Sequence, residues 1–156
     1  MAPRSKHRGP STDAIAMLKA DHHKIRTLFV AYQAAMDRAT QRSVAHLVCV
    51  ELETHAHLEE HVFYPAVHEE TADGPARVTA HLQEHQTIKQ CMQELRSMRP
   101  DLKVFDTKFH ELICHVDHHM AAEEAEMFPR AEAELEADMQ ALRDEMHALK
   151  VQLLAS

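Results

Sequence analysis

The strongest constraint in this chain is a doubled pattern of histidine and glutamate. His-x-x-x-Glu-Glu, followed five residues later by proline, occurs at 55–65 and again, with an offset of 64 residues, at 119–129. An acidic residue followed by His-x-x-Ile occurs at 21–25 and, with an offset of 63 residues, at 84–88. Self-similarity at a fixed period is typical of a duplicated structural unit. The repeat therefore predicts two copies of one helical hairpin.

Apolar residues recur at steps of three and four along the chain, which predicts amphipathic helices. We expect helices at about 12–38 and 41–71, a third beginning near Pro75, a fourth from about Phe105 to Pro129, and a fifth in the C-terminal segment. Four long helices joined by short connections predict an all-α fold, an antiparallel up-down four-helix bundle with an additional C-terminal amphipathic helix.

The length of 156 residues suits one domain with its own core. We expect a flexible basic tail at 1–11, the bundle at 12–130 and the amphipathic helix at 131–156. Apolar residues in that last helix follow a heptad spacing. Two interpretations stay open: the helix packs on its own bundle, in a monomer, or it forms the seam of a homodimer.

Charge and composition limit the kinds of partner and the cellular location that we expect. A formal net charge of −8 with no basic, aromatic-interleaved surface disfavours nucleic acid as a partner. No apolar stretch is long enough to cross a membrane, and no signal-peptide pattern follows the N-terminus. The three cysteines form no Cys-x-x-Cys pair, so we expect no disulfide framework and a cytoplasmic protein.

Histidine stands out in the composition, with 15 residues, and several histidines fall on the inward faces of the predicted helices. At i, i+4 spacing two side chains lie on one helix face about 6 Å apart, close enough to bind one metal or to bridge two. Burying five imidazoles and two carboxylates without partners would cost about 1 to 3 kcal/mol for each group. A metal centre removes that cost. The predicted metal ligands are His22, His55, Glu59, His81, His85, His119 and Glu123.

Nitrogen and carboxylate donors without thiolate favour iron, manganese or zinc and do not choose among them. Helical phase selects His22 rather than His23, which lies about 100° away around the helix. His57 and His61 form a rival i, i+4 pair, but they lie off the His55 face. We assign them a surface role, with adventitious metal binding as the alternative.

Other polar residues lie near these positions. Glu51 and His115 correspond under the 64-residue offset and lie one turn from His55 and His119. They either orient the ligands or form an ordinary buried polar pair. If the helices are regular, Tyr64, Glu60 and Glu124 point outward.

The full ordered set of predicted ligands resembles the hemerythrin-like, or HHE cation-binding, family over residues 12–130. The resemblance implies two iron ions with an oxo or hydroxo bridge. It assigns one iron to His81, His85 and His119, the other to His22 and His55, and makes Glu59 and Glu123 the bridging carboxylates.

The repeat makes this centre asymmetric. Moving back 63 residues from His81 leads to Leu18, which has no metal-binding atom. One half of the bundle thus offers three nitrogens and the other offers two, which leaves one ion an open position for a small molecule.

Three functions follow from an open di-iron centre. The first is binding or sensing of a small diatomic or peroxide ligand such as oxygen, nitric oxide or peroxide. The second is enzymatic redox turnover of hydrogen peroxide or nitric oxide, for which no catalytic residue is identified. The third is iron sequestration or sensing. The oxygen-carrying hemerythrins have a histidine and a more distant aspartate where this chain has His119 and Glu123, which disfavours reversible oxygen carriage.

Overall fold

The computed structural model describes residues 13–99 and 103–156, and within these ranges it contains helices and no strand. The α-helices are α1 (Ala14–Ala34), α2 (Arg38–Leu58), α3 (Tyr64–Glu70), α4 (Gly74–Arg96), α5 (Lys103–Ala122), α6 (Phe128–Glu134) and α7 (Met139–Ala155). A π-helical turn at Glu59–Phe63 joins α2 to α3, and another at Glu123–Met127 joins α5 to α6. The second bundle helix therefore runs over 38–70 and the fourth over 103–134.

Neighbouring helices in the chain are also neighbours in space. Helix α1 packs against α2, α3 against α4, and α4 against α5, while α5 also contacts α1 and closes the bundle. Short connections between consecutive helices produce this antiparallel arrangement. The predicted all-α up-down bundle with a fifth helix is confirmed.

The helix boundaries depart slightly from the predicted ones. Helix α1 ends at Ala34, and Asp37 caps α2 by accepting a hydrogen bond from the Thr40 backbone N–H at 2.8 Å. Asp13 caps α1 in the same way, accepting from Ala16 at 2.9 Å. The predicted tail at 1–11, the capping signal at 10–12 and the predicted break at 100–101 lie outside the described residues.

The predicted break before Pro75 is confirmed as a tight turn. Asp73 adopts a left-handed backbone conformation with φ of 61°, and α4 begins at Gly74. A Cβ atom on Gly74 would lie 2.2 Å from the Val67 carbonyl oxygen. Glycine is therefore required where the chain reverses between α3 and α4.

The prediction that the fourth bundle helix ends at Pro129 is wrong, because a π-helical turn accommodates the proline. Proline lacks a backbone N–H, and in a regular α-helix its ring collides with the carbonyl four residues earlier. Immediately before Pro129, the Phe128 N–H bonds to the Glu123 carbonyl, five residues earlier. Tyr64 and Glu59 make the same bond before Pro65. Each wider turn adds one residue. The second and fourth bundle helices therefore continue past their prolines.

The polar residues of the repeat lie between two apolar clusters. One cluster contains Ile25, Phe29 and Phe109, and the other contains Leu18, Phe63 and Phe128. Helix α7 belongs to the second cluster, in which Leu135, Met139, Leu142 and Met146 are buried. It packs on α1, on α2 and on the first π-helical turn. The bundle thus has a polar layer between two apolar clusters.

Candidate metal centre

All seven predicted ligands converge in the polar layer, where their side chains are buried. One ligand atom from each of four residues, His22, His55, Glu59 and Glu123, lies within 4.8 Å of the others. A second group combines Glu59 with His85 and His119, and a third combines Glu123 with His81 and His119. Glu59 and Glu123 therefore each belong to two of these groups. One of the two is always the group that contains His22 and His55.

Four buried donor atoms in the first group have no hydrogen-bond partner. They are His22 Nε2, His55 Nε2, Glu59 Oε2 and Glu123 Oε1. His22 Nε2 lies 3.2 Å from Glu123 Oε1, and His55 Nε2 lies 3.1 Å from Glu59 Oε2. Buried polar atoms are normally satisfied, and unpaired ones carry a desolvation cost. All four belong to residues whose ligand atoms lie close enough together to share one metal cation.

The far nitrogen of each imidazole in the repeat is held by a carboxylate from another helix. Nδ1 contacts Glu124 at 2.6 Å in His22, Asp21 at 2.9 Å in His55, Glu60 at 2.6 Å in His85 and Glu84 at 2.6 Å in His119. The Glu84 carboxylate also lies 3.1 Å from Nδ1 of His81. A neutral imidazole that donates from Nδ1 carries its lone pair on Nε2. Carboxylates that orient histidine in this way are typical of metal sites.

These contacts follow the twofold repeat of the sequence. Asp21 precedes His22 but holds His55 in the next helix, and Glu84 precedes His85 but holds His119. The signal in the sequence was the acidic residue that precedes His22 and His85 in both copies. Because the contacts cross between helices, spacing along one helix could not identify them.

The helices are not regular at these positions, and Glu60, Glu124 and Tyr64 do not point outward as regular helices would place them. Glu60 and Glu124 lie in the π-helical turns and reach His85 and His22. One extra residue rotates the following side chains by about 100° relative to a regular helix. Tyr64, which follows the first turn, is consequently buried in the centre. The prolines at the same repeat offset were the sequence signal for this interruption.

The centre contains more negative than positive side chains. Its six carboxylates are Asp21, Glu59, Glu60, Glu84, Glu123 and Glu124. Three cationic side chains contact the outer ones: Arg26 lies 3.0 Å from Glu124, Lys89 lies 2.9 Å from Glu60, and Lys150 lies 3.5 Å from Asp21. Among the residues that the structure describes, ionised carboxylates and neutral imidazoles would leave three negative charges uncompensated. Such an excess in a buried layer favours bound cations.

The same excess alters the ionisation of the imidazoles and carboxylates. Burial alone would lower the pKa of His119. The Glu123, Glu59 and Glu84 carboxylates have the larger combined effect and raise this pKa to about 10. Hydrogen bonding to His85 is the main cause that lowers the pKa of Glu60, to about 2. The carboxylates therefore stabilise positive charge on or beside the imidazoles.

Other predicted positions lie outside the cluster. His23 is exposed, and the His57 and His61 rings stack on each other with centroids 4.0 Å apart. Glu51 forms an ion pair with Lys24 at 2.8 Å. Of the two roles left open for Glu51, orienting the ligands is not observed.

The Leu18 position is closed by packing, and a cavity lies beside other residues of the centre. Leu18 is fully buried in the second apolar cluster. A cavity of about 290 Å³ lies between the second and third bundle helices and is lined by His55, His85 and His119 together with apolar residues such as Leu52 and Ile88. Exposed residues at its rim, including Arg96, connect it to the surface.

Within the described residues, no helix combines the length and apolar character needed to cross a bilayer. Comparison with curated proteins finds a DNA nickase from Nostoc sp. (strain PCC 7120 / SAG 25.82 / UTEX 2576), 26% identical over 113 residues. The match covers 72% of this chain and 31% of the nickase, so the chain spans about a third of that relative.

A similar fold occurs in the crystal structure of a hemerythrin HHE cation-binding domain-containing protein from Mycobacterium kansasii. The TM-score is 0.77 at 20% sequence identity, and the match covers 90% of this chain and 86% of the other. At this identity the likeness concerns the fold alone. The family model for the hemerythrin HHE cation-binding domain matches residues 13–131. The chain therefore belongs to the hemerythrin HHE cation-binding family, and the buried histidine and glutamate cluster is suited to its metal cations.

Proposed function

We propose that this protein is a non-heme di-iron protein that binds or senses a small molecule, such as oxygen, nitric oxide or peroxide, at one of its two ions. The single observation that carries the proposal is the set of four buried, unpartnered donor atoms from His22, His55, Glu59 and Glu123. They lie beside two further donor groups, one with His85 and His119 that shares Glu59, and one with His81 and His119 that shares Glu123.

In this proposal His81, His85 and His119 hold one iron and His22 and His55 hold the other. Glu59 and Glu123 bridge them, because each belongs to donor groups on both sides. Iron supplies an open coordination position and reversible electron transfer when bound. The oxo or hydroxo bridge implied by the family resemblance stays a prediction.

The chain's own residues orient the donors and limit access. Asp21, Glu60, Glu84 and Glu124 hold the imidazoles with Nε2 directed to the centre. The cavity between the second and third bundle helices offers a small molecule a route to His55 and His85. Its apolar lining suits an uncharged diatomic molecule or peroxide better than a larger polar substrate.

The test is metal analysis of the purified protein with an optical spectrum before and after addition of oxygen, azide or peroxide. We expect two iron ions per chain and a spectrum that changes with azide. The variant His55→Ala should lose one ion, whereas His57→Ala, two residues away and stacked on His61, should keep both. Iron content that is zero, or equal loss in both variants, would contradict the proposal.

Redox turnover of peroxide or nitric oxide, and iron sequestration or sensing, are the alternatives for the same centre. Catalytic decay of hydrogen peroxide or consumption of nitric oxide would identify the enzyme. Unfolding that depends strongly on iron, without either reaction, would favour sensing, because bound metal contributes folding free energy.

Nucleic acid is not included in the proposal. The nickase aligns with this chain over 31% of its own length, which leaves most of that protein without a counterpart here. A formal net charge of −8 also disfavours binding to a polyanion.

A homodimer through α7 and a cytoplasmic location stay predictions.

A further inference from the structure

We infer that the cavity beside the centre binds an uncharged organic hydroperoxide, a peroxide that carries a hydrocarbon group, an inference that rests on the proposed function. The cavity lies between the second and third bundle helices and has a volume of about 290 Å³. One water molecule takes up about 30 Å³ in the liquid. The cavity is therefore much larger than a diatomic molecule or hydrogen peroxide requires.

The wall of the cavity has a polar part and an apolar part. The polar part is formed by three of the predicted metal ligands, His55, His85 and His119. The apolar part is formed by buried side chains from four bundle helices, namely Ile25, Leu52, Ile88, Met92, Val116 and Met120. Sites of this kind bind an apolar body and orient it through a few polar groups. An organic hydroperoxide has this composition, with one O–O–H group on a hydrocarbon.

The volume of the cavity sets the size of the hydrocarbon. A dry protein cavity of about 150 Å³ takes up benzene. At the same packing density, a cavity of about 290 Å³ holds roughly a dozen non-hydrogen atoms. Cumene hydroperoxide, which carries a phenyl ring on a branched carbon, has this size.

Two ion pairs frame the opening of the cavity. Arg96 lies 2.8 Å from Glu53, and Lys89 lies 2.9 Å from Glu60. All four residues line the cavity, and the two cations lie on one helix about two turns, or about 10 Å, apart. That separation admits a phenyl ring. Both cations already contact a carboxylate, so an anionic ligand would have to displace one of these partners, whereas an uncharged ligand would not.

Reduction of the hydroperoxide matches the chemistry of two iron ions. The O–O bond breaks, and R–O–O–H with two protons and two electrons becomes the alcohol R–OH and water. Two iron(II) ions supply the two electrons and become iron(III), and solvent supplies the protons. The apolar side chains of the cavity hold the hydrocarbon and position the O–O–H group beside the imidazoles.

The first measurement detects binding without turnover. It uses the full-length protein with diamagnetic zinc in place of iron, labelled with ¹³C at the methionine methyl groups, and 2-phenyl-2-propanol, the alcohol formed from cumene hydroperoxide, as an unreactive probe. A bound phenyl ring shifts the NMR signals of methyl groups close to it. Met92 and Met120 line the cavity, whereas Met139 and Met146 lie in the second apolar cluster. We expect saturable shifts at Met92 and Met120 and none at Met139 and Met146.

The variant Ala56→Phe places a ring in the cavity, and Ala121→Phe at an exposed position is its matched control. Ala56→Phe should weaken binding of the alcohol at least about tenfold, because the ring and the ligand compete for one space. Ala121→Phe should bind as the wild type does. In the iron(II)-loaded protein, Ala56→Phe should slow oxidation of the iron by cumene hydroperoxide more than oxidation by hydrogen peroxide.

The outcomes separate this inference from the proposed function. If the protein binds two iron ions that respond to azide but the methionine signals do not shift, the inference is wrong and the di-iron proposal stands. If the protein binds no iron, both fail. Equal shifts at all four methionines, or wild-type affinity in a folded Ala56→Phe protein, would also overturn the inference. The wild-type spectra decide the question even if Ala56→Phe does not fold.

Discussion

Replacing Glu84 by glutamine tests whether carboxylates outside the donor set control metal affinity. One oxygen of Glu84 lies 2.6 Å from Nδ1 of His119 and 3.1 Å from Nδ1 of His81. Glutamine keeps an acceptor oxygen and nearly the same shape, but it removes the charge. The substitution therefore weakens two hydrogen bonds without creating a cavity.

The magnitude follows from those two contacts. A hydrogen bond to a charged acceptor contributes about 1 kcal/mol more than one to a neutral acceptor. Two bonds give about 2 kcal/mol, and partial solvent exposure of Glu84 reduces this to about 1 to 2 kcal/mol. At about 1.4 kcal/mol for each factor of ten, we expect roughly a 5- to 30-fold weaker affinity for one of the two ions. Loss of such outer partners in other metal sites costs about 10- to 100-fold.

Two further variants calibrate the measurement. Asp21→Asn weakens one hydrogen bond, from His55 at 2.9 Å, so its loss should be about half as large in free energy and should affect the other ion. Glu94→Gln lies on the same helix as Glu84 and removes only a surface ion pair with Lys108. Its affinity should equal that of the wild type.

The assay is titration of iron(II) into metal-free protein in competition with a chromophoric chelator, with oxygen excluded. Two binding steps should be resolved, and Glu84→Gln should move one of them. Wild-type affinity in Glu84→Gln, or an equal loss in Glu94→Gln, would refute the reasoning that these carboxylates tune the centre.

Three other predictions concern access, coordination and acidity. Ala56→Phe, which fills the cavity beside His55, should slow azide binding several-fold at unchanged iron content, whereas Ala121→Phe at an exposed position should not. Stopped-flow absorbance measures the rates of azide binding. Equal rates in Ala56→Phe and the wild type would exclude the cavity as the route to the centre. Leu18→Glu should occupy the open position and block azide binding while both ions stay bound; unchanged azide titration would contradict the asymmetric centre. Acidification should release iron through the histidine range, near pH 5 to 6. Burial lowers the pKa of His55, but Glu59 and Asp21 raise it well above its usual value, so its protonation should begin at a higher pH than that of an ordinary histidine. Iron retained far below about pH 5 in equilibrium dialysis would exclude histidine ligation.

The sequence by itself determined the helical bundle and the set of candidate donors. His55 and Glu59 lie four residues apart on one helix, and so do His119 and Glu123, so helical geometry alone directs each pair to one side. The duplicated pattern then placed equivalent helices in equivalent positions. The asymmetry between His81 and Leu18 could likewise be read directly from the repeat.

Only the tertiary structure decided how those donors are held and what else reaches them. Asp21 and Glu84 act on histidines of neighbouring helices, and no spacing within one helix records a contact across a bundle. Regular helical phase placed Tyr64, Glu60 and Glu124 outside, because it assumes 3.6 residues in every turn. The π-helical turns before Pro65 and Pro129 break that assumption. Glu60 and Glu124 lie within these turns and reach the imidazoles, and Tyr64, directly after the first turn, lies with its hydroxyl in the centre.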